Sequence, residues 1–180
     1  MNRITLVHGD ITTLSVDAIV NPANKSLLGG GGLDGKIHKK AGSLMKSECI
    51  QINQEKGGCA VGNAEVTTAG NLPAKYLIHA VPPRWLGGEK NEPQLLCNAY
   101  SNALLKANQV QAKTVSFPNL GTGIYKYPLQ QAAEFAIGSI MMTLPSCEAV
   151  DEVFFFFFEK DNYEIYKEIL ENLYDGNIQI

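Results

Sequence analysis

Short apolar runs alternate along this chain with longer stretches whose apolar residues recur at helical spacing, and this alternation constrains the fold more than any other feature. It is the pattern of an α/β domain with helices covering a central sheet. The strand candidates are Ile4 to His8, Ala18 to Val20, Glu65 to Ala69, Tyr76 to Val81, Lys113 to Phe117 and Val153 to Phe158, each flanked by Gly, Pro, Asn or Asp. Leu96, Tyr100, Ala103, Leu104 and Ala107 predict a helix after Pro93, and a second helix should follow Pro128. Near the C-terminus, Asp161 and Glu164 resemble a capping box, with Ile165, Ile169, Leu170 and Leu173 on one stripe. The run Phe154 to Phe158 reads as a central strand buried on both faces, which has no reason to alternate.

With 180 residues, 45% of them hydrophobic, the chain can bury one sizeable core, and no repeat or linker marks a boundary, so a single domain over 1–180 is expected. Fifteen basic against 18 acidic residues give a net charge of −3. No global positive field attracts nucleic acid or an anionic membrane, so an anionic ligand must be held by local groups. Cys49, Cys59, Cys97 and Cys147 form no Cys-x-x-Cys pair and have no histidine at zinc-ligand spacing, so no metal site is expected. A reduced, soluble, cytoplasmic protein is the reading, since the N-terminal residues lack the apolar stretch of a signal peptide.

The chemistry concentrates in Asn21-Pro22-Ala23-Asn24, Gly29-Gly30-Gly31-Gly32-Leu33-Asp34-Gly35 and Gly121-Thr122-Gly123-Ile124-Tyr125. Loops beyond the carboxyl ends of strands are where open α/β sheets bind ligands, and glycines there let backbone N–H groups approach phosphate oxygens. Gly30 and Gly35-Lys36 have P-loop spacing, but Ile37 stands where a magnesium-binding Ser or Thr is required. Gly121-x-Gly123 begins a dinucleotide fingerprint, but Lys126 occupies the third glycine position. Two anion-cradling loops without a magnesium ligand suggest a diphosphate held mainly by neutral main-chain dipoles.

These residues resemble the macrodomain family, in particular the MacroD-like bacterial class that includes O-acetyl-ADP-ribose deacetylases and mono-ADP-ribosyl hydrolases. The match begins at Val7-His8-Gly9-Asp10-Ile11-Thr12, runs through the two segments around Asn24 and Asp34, and continues through Cys59 to Ala64, Leu72-Pro73-Ala74-Lys75 and Phe117 to Tyr125. The resemblance implies a three-layer α/β/α domain with a mixed central sheet and a cleft for ADP-ribose. It also implies hydrolysis of O-acetyl-ADP-ribose, or of ADP-ribose esters on acidic side chains, without a cofactor.

By the same resemblance, Asp10 accepts the adenine amino group with the Ile11 amide beside it. Asn24 holds the distal ribose and Asp34 acts next to it. Gly31, Gly32, Gly121, Thr122, Gly123 and Ile124 wrap the diphosphate, and Tyr125 packs on the distal ribose. Phe158 is assigned either to stacking on adenine or to the core. Asn24 and Asp34 are the expected catalytic pair. Like-charge repulsion from a bound diphosphate makes Asp34 a better base, although a substrate phosphate aligning the water is an equal alternative.

His8, His38 and His79 read as structural, and full activity in chelator is expected. Ala80, Pro82 and Lys126 depart from the pattern, where the class more often carries Thr, Gly and Gly. A monomer is expected. The rival functions are a non-catalytic ADP-ribose reader and, without a basic patch to support it, an RNA-associated adenosine-binding domain.

Overall fold

The computed structural model describes residues 3–173, so residues 1–2 and 174–180 of the expected 1–180 domain lie outside the description. Six strands form one sheet: β1 (Arg3–His8), β2 (Ala18–Pro22), β3 (Ala64–Thr68), β4 (Tyr76–Ala80), β5 (Thr114–Phe117) and β6 (Glu152–Phe157). Their order is β1-β6-β5-β2-β4-β3. All neighbours pair in parallel except β3 with β4, which is antiparallel. Every strand read from the sequence is present, with differences confined to the ends. The sheet is therefore mixed, as the resemblance implied.

Helices α1 (Gly32–Ala41), α2 (Ser43–Lys56), α3 (Glu92–Gln109), α4 (Leu129–Thr143) and α5 (Lys160–Leu173) cover it. The pleat divides the core in two. Ala18, Val20, Phe155 and Phe157 face one way, into a cluster with α3, α4 and α5. Ile19, Leu77 and Phe156 face the other way, into a cluster with Ile37, Met45 and Cys49 of α1 and α2. Small residues on facing helices, Ala99 and Ala103 against Ala132 and Ala136, let α3 and α4 approach closely.

The phenylalanine run behaves as a strand between two others. Phe155 packs on Phe117 at 5.8 Å and on Tyr166 at 5.2 Å between ring centroids, while Phe154 and Phe156 supply the opposite face. Phe158 differs. It lies past the strand and is 80% exposed, which removes the core alternative for this residue. His8, at the end of β1, holds this corner through a 3.1 Å bond between its Nε2 and the Phe158 carbonyl oxygen, a structural role as expected.

Two details at the C-terminal helix differ from expectation. Asp161 is not a cap, because α5 already begins at Lys160; it sits in the first turn, where its charge complements the positive helix end. The buried anchors of α5 are Tyr166 and Leu170, whereas Leu173, in the last turn, is 56% exposed. Pro93 and Pro128 do stand at the starts of α3 and α4. Among the described residues no helix is long and apolar enough to cross a membrane.

Because β6, β5, β2 and β4 run in parallel, their carboxyl ends open on one edge, and the loops that follow them gather there. One glycine makes that gathering tight: a methyl group on Gly35, in α1, would lie 2.4 Å from the Gly30 carbonyl oxygen. Gly138, inside α4, has nothing within 4 Å of the same position. Gly35→Ala should therefore destabilise by about 1–3 kcal/mol through overpacking, and Gly138→Ala should stabilise by roughly 0.5–1 kcal/mol through helix propensity. Denaturant titration of both variants checks this; a neutral Gly35→Ala would show that the loop does not rest on the helix.

Candidate active site

A cleft of about 450 Å³ lies on that edge. It runs along the strand order, from Phe158 and Asn162 after β6, past the Gly121–Tyr125 segment after β5 and Asn24 and Gly31 after β2, to Pro82 and Arg84 after β4. The volume is that of a site for one small organic ligand.

The first wall is the start of α1. Gly31 is its N-cap and no side chain caps it, so the first-turn amides from Gly32 to Asp34, which have no acceptor within the helix, face a cleft lined by Gly30, Gly31, Gly32 and Leu33. Such a terminus favours an anion. The loop leading to it is tied down by Asn24. Its Oδ1 accepts from the Leu27 amide at 3.1 Å and the Ser26 hydroxyl at 2.7 Å, and its Nδ2 donates to the Gly29 carbonyl at 2.9 Å. Asn24 is thus a turn former and a cleft-lining residue together.

The second wall is held from behind. The Leu120 amide donates to the buried Tyr100 hydroxyl at 2.8 Å, and the Tyr166 hydroxyl donates to Asn119. The turn closes through Tyr127 N–H to the Gly121 carbonyl at 2.8 Å and Lys126 N–H to the Gly123 carbonyl at 3.1 Å. Among the described residues the Thr122, Gly123 and Ile124 amides donate to nothing. The two walls meet: a methyl on Gly31 would stand 3.6 Å from Cδ1 of Ile124. Lys126 has φ of 58°, the left-handed region, which explains why glycine suits this position better. Its side chain is exposed and outside the cleft lining.

Asp34 is buried at the inner end of the glycine segment. Its Oδ1 accepts from Asn21 Nδ2 at 2.8 Å and lies 3.3 Å from His38 Nε2, while Oδ2 accepts no hydrogen bond among the described residues and lies toward Gly30. Asn21 donates its other amide hydrogen to His79 Nδ1 at 3.0 Å, and His79 donates from Nε2 to Thr67 at 2.9 Å, which passes its own proton to the Thr68 carbonyl. This chain fixes the Asn21 orientation, since a flipped amide would set oxygen against both acceptors; its Oδ1 is left buried without a partner.

The fold also brings His38, Cys49 and His79 together, with one ligand atom from each within 4.8 Å of the others. Separation along the chain hid this cluster. Two of its three members are already engaged: both His79 nitrogens are committed, and burial pushes the Cys49 thiol up to about 11, where it stays protonated against Met45 at 3.4 Å. His79 is structural in position, as read from the sequence, whereas both His38 nitrogens are buried beside Asp34 without a hydrogen-bond partner among the described residues.

Of the expected site residues, Asn24, Gly31, Gly32, Asp34, Gly121, Thr122, Gly123, Ile124, Tyr125 and Phe158 line the cleft. Asp10 and Ile11 are not among its lining residues. Ile11 is buried, and the Asp10 carboxylate is taken up by Lys36 at 2.6 Å and by the Thr12 amide and hydroxyl at 2.9 and 2.7 Å. Burial alone would raise the Asp10 pKa, but these bonds hold it below the usual carboxylate range. Lys36 also lies 6.0 Å above the Phe158 ring, which connects Asp10 to the β6 end of the cleft. Sequence reasoning missed Asn21 as the partner of Asp34, and Arg84, which stands 5.3 Å over the Tyr125 ring. Asn21 was discoverable within Asn-Pro-Ala-Asn; Arg84 carried no signal.

His79 gives the site a pH dependence. Burial, then the neighbouring His38, push its pKa from 6.5 down to about 4. Between those values the unfolded chain binds the proton and the folded chain does not, so stability falls as pH drops from 6.5 toward 4, by up to about 3 kcal/mol. His79→Gln keeps an acceptor and a donor without titrating, and denaturant titrations across this window should show a flatter slope for it than for the wild type. Equal slopes would place the titration elsewhere.

The sequence profile described as Macro domain matches residues 20–136. A Macro domain-containing protein of Acinetobacter sp. (strain ED45-25) is 67% identical over 180 residues, 100% of this chain and 98% of that one. The O-acetyl-ADP-ribose deacetylase of Escherichia coli (strain K12) is 44% identical over 168 residues, 93% of this chain and 95% of that one. Among solved structures, an Oceanobacillus iheyensis macrodomain mutant with ADPR aligns with a TM-score of 0.88 at 36% identity, covering 93% of this chain and 91% of that one. By profile, identity and structure alike, this chain belongs to the macrodomain family.

Proposed function

We propose that the protein binds ADP-ribose and hydrolyses O-acetyl-ADP-ribose and ADP-ribose esters of acidic protein side chains. The observation that carries this is a buried carboxylate with one oxygen fixed and the other left free, in a cleft between two walls of unpaired amides. In this reading the diphosphate lies between the α1 start and the Thr122–Ile124 turn, bound by dipoles that an acidic chain can offer without a basic patch. Adenine stacks on the exposed Phe158, with Asp10 and Ile11 beside it. Recognition by Asp10 requires Lys36 to share its hold on that carboxylate. The distal ribose rests at Asn24 and Tyr125.

The relatives support the chemistry. Pantoea vagans proteins at 45% and 44% identity bear the name O-acetyl-ADP-ribose deacetylase, and a Trypanosoma brucei macrodomain at TM-score 0.84 is solved in complex with ADP-ribose. Asp34 Oδ2 accepts a proton from water as the water oxygen bonds to the ester carbonyl carbon. The carbon–oxygen bond to ribose then breaks and the ribose oxygen takes that proton, leaving ADP-ribose and the free acid. Asn21 keeps Oδ1 in place through both steps.

Asp34→Ala should lower turnover of O-acetyl-ADP-ribose on the order of 10²-fold or more while keeping ADP-ribose affinity. Following ADP-ribose release by chromatography, with calorimetry for affinity, checks both. Near-wild-type turnover in the variant would remove Asp34 from the mechanism, and binding without turnover in the wild type would leave a reader module.

A further inference from the structure

A second cavity of about 690 Å³ adjoins the cleft at its reacting end, sharing Asn24, Pro82, Arg84 and Tyr125 as a common wall. An acetyl group would occupy a small fraction of it, and ADP-ribose seated as above would not enter it. Its chemistry is distinct. Lys25, Arg84 and Lys90 line it, all three are exposed, and none has an ion-pair partner among the described residues.

The one acid in its lining, Glu92, is 1% exposed and faces inward. Its carboxylate accepts from the amides of Leu86 at 3.0 Å, Gly88 at 2.7 Å and Lys90, so its charge is used to shape the loop that carries Lys90. The charge left facing the cavity is therefore positive. Half-buried Val61 and Leu95 add an apolar floor, and exposed Leu86 adds further apolar surface.

We infer that this cavity receives the polypeptide attached to the distal ribose, and that its cations select modified sites flanked by acidic residues. The inference rests on the hydrolase reading above, since only the position of the scissile bond defines what lies beyond it. Both features fit one ligand: a chain too large for the first cleft, entering beside Asn24, with carboxylates opposite Lys25, Arg84 and Lys90 and an apolar side chain on the floor. The contribution is electrostatic, so it should weaken with salt.

The test uses two synthetic peptides, each carrying one glutamate-linked ADP-ribose, flanked by Asp and Glu in one and by Lys and Arg in the other, with O-acetyl-ADP-ribose as reference. Wild type should show a kcat/KM preference for the acidic peptide on the order of 10-fold at low salt, shrinking at high salt. The Lys25→Glu, Lys90→Glu double variant should lose or invert that preference while its O-acetyl-ADP-ribose rate stays at the wild-type value. Equal kcat/KM for the two peptides or an unchanged preference in the double variant would each overturn the inference and leave the hydrolase reading standing, whereas turnover of the reference alone would overturn the inference together with the protein-ester half of that reading. No turnover of any of the three would overturn both.

Discussion

Main-chain amides with no internal acceptor are the constraint on which this structure turns. The start of α1 and the Thr122–Ile124 turn each leave such groups at a cleft, and a folded protein tolerates that only where water or a ligand supplies the missing acceptors. Both segments are braced from behind. Tyr100 and Tyr166 hold the residues leading into the second, and Asn24 and the close contact of Gly35 with Gly30 hold the first. Presenting dipoles at fixed positions in this way requires no net positive charge, which reconciles an acidic chain with a dianionic ligand.

The second level of organisation is the hydrogen-bonded chain from Thr67 through His79 and Asn21 to Asp34. It crosses from β3 through β4 and β2 to α1, so the orientation of the carboxylate is set by the sheet as well as by the helix that bears it. His79 must stay neutral for the chain to hold, and its burial secures this down to about pH 4. Stability of the sheet and readiness of the site are thereby one property.

Much of this was legible in the sequence. The strands were readable because β-branched and aromatic runs bounded by turn residues mark strands whatever lies beside them, and the five phenylalanines fitted a strand covered on both faces. The glycine segments announced a backbone-lined site. What stayed hidden depends on pairing across the sheet: Asn21 meets His79 only because β2 and β4 run in register. The gathering of His38, Cys49 and His79, and the cationic lining of the second cavity by Lys25, Arg84 and Lys90, likewise join segments remote in the chain. The α5 start was misread because Asp161 is as favourable in a first helical turn as at a cap, and residue type alone does not separate the two.

The most direct test of the account is to titrate the isotope-labelled protein with ADP-ribose and follow its backbone amides by two-dimensional NMR. The amides of Gly32, Leu33, Thr122, Gly123 and Ile124 should shift together, with one saturation curve. Saturable binding that leaves both segments unperturbed, or that moves only one of them, would contradict it.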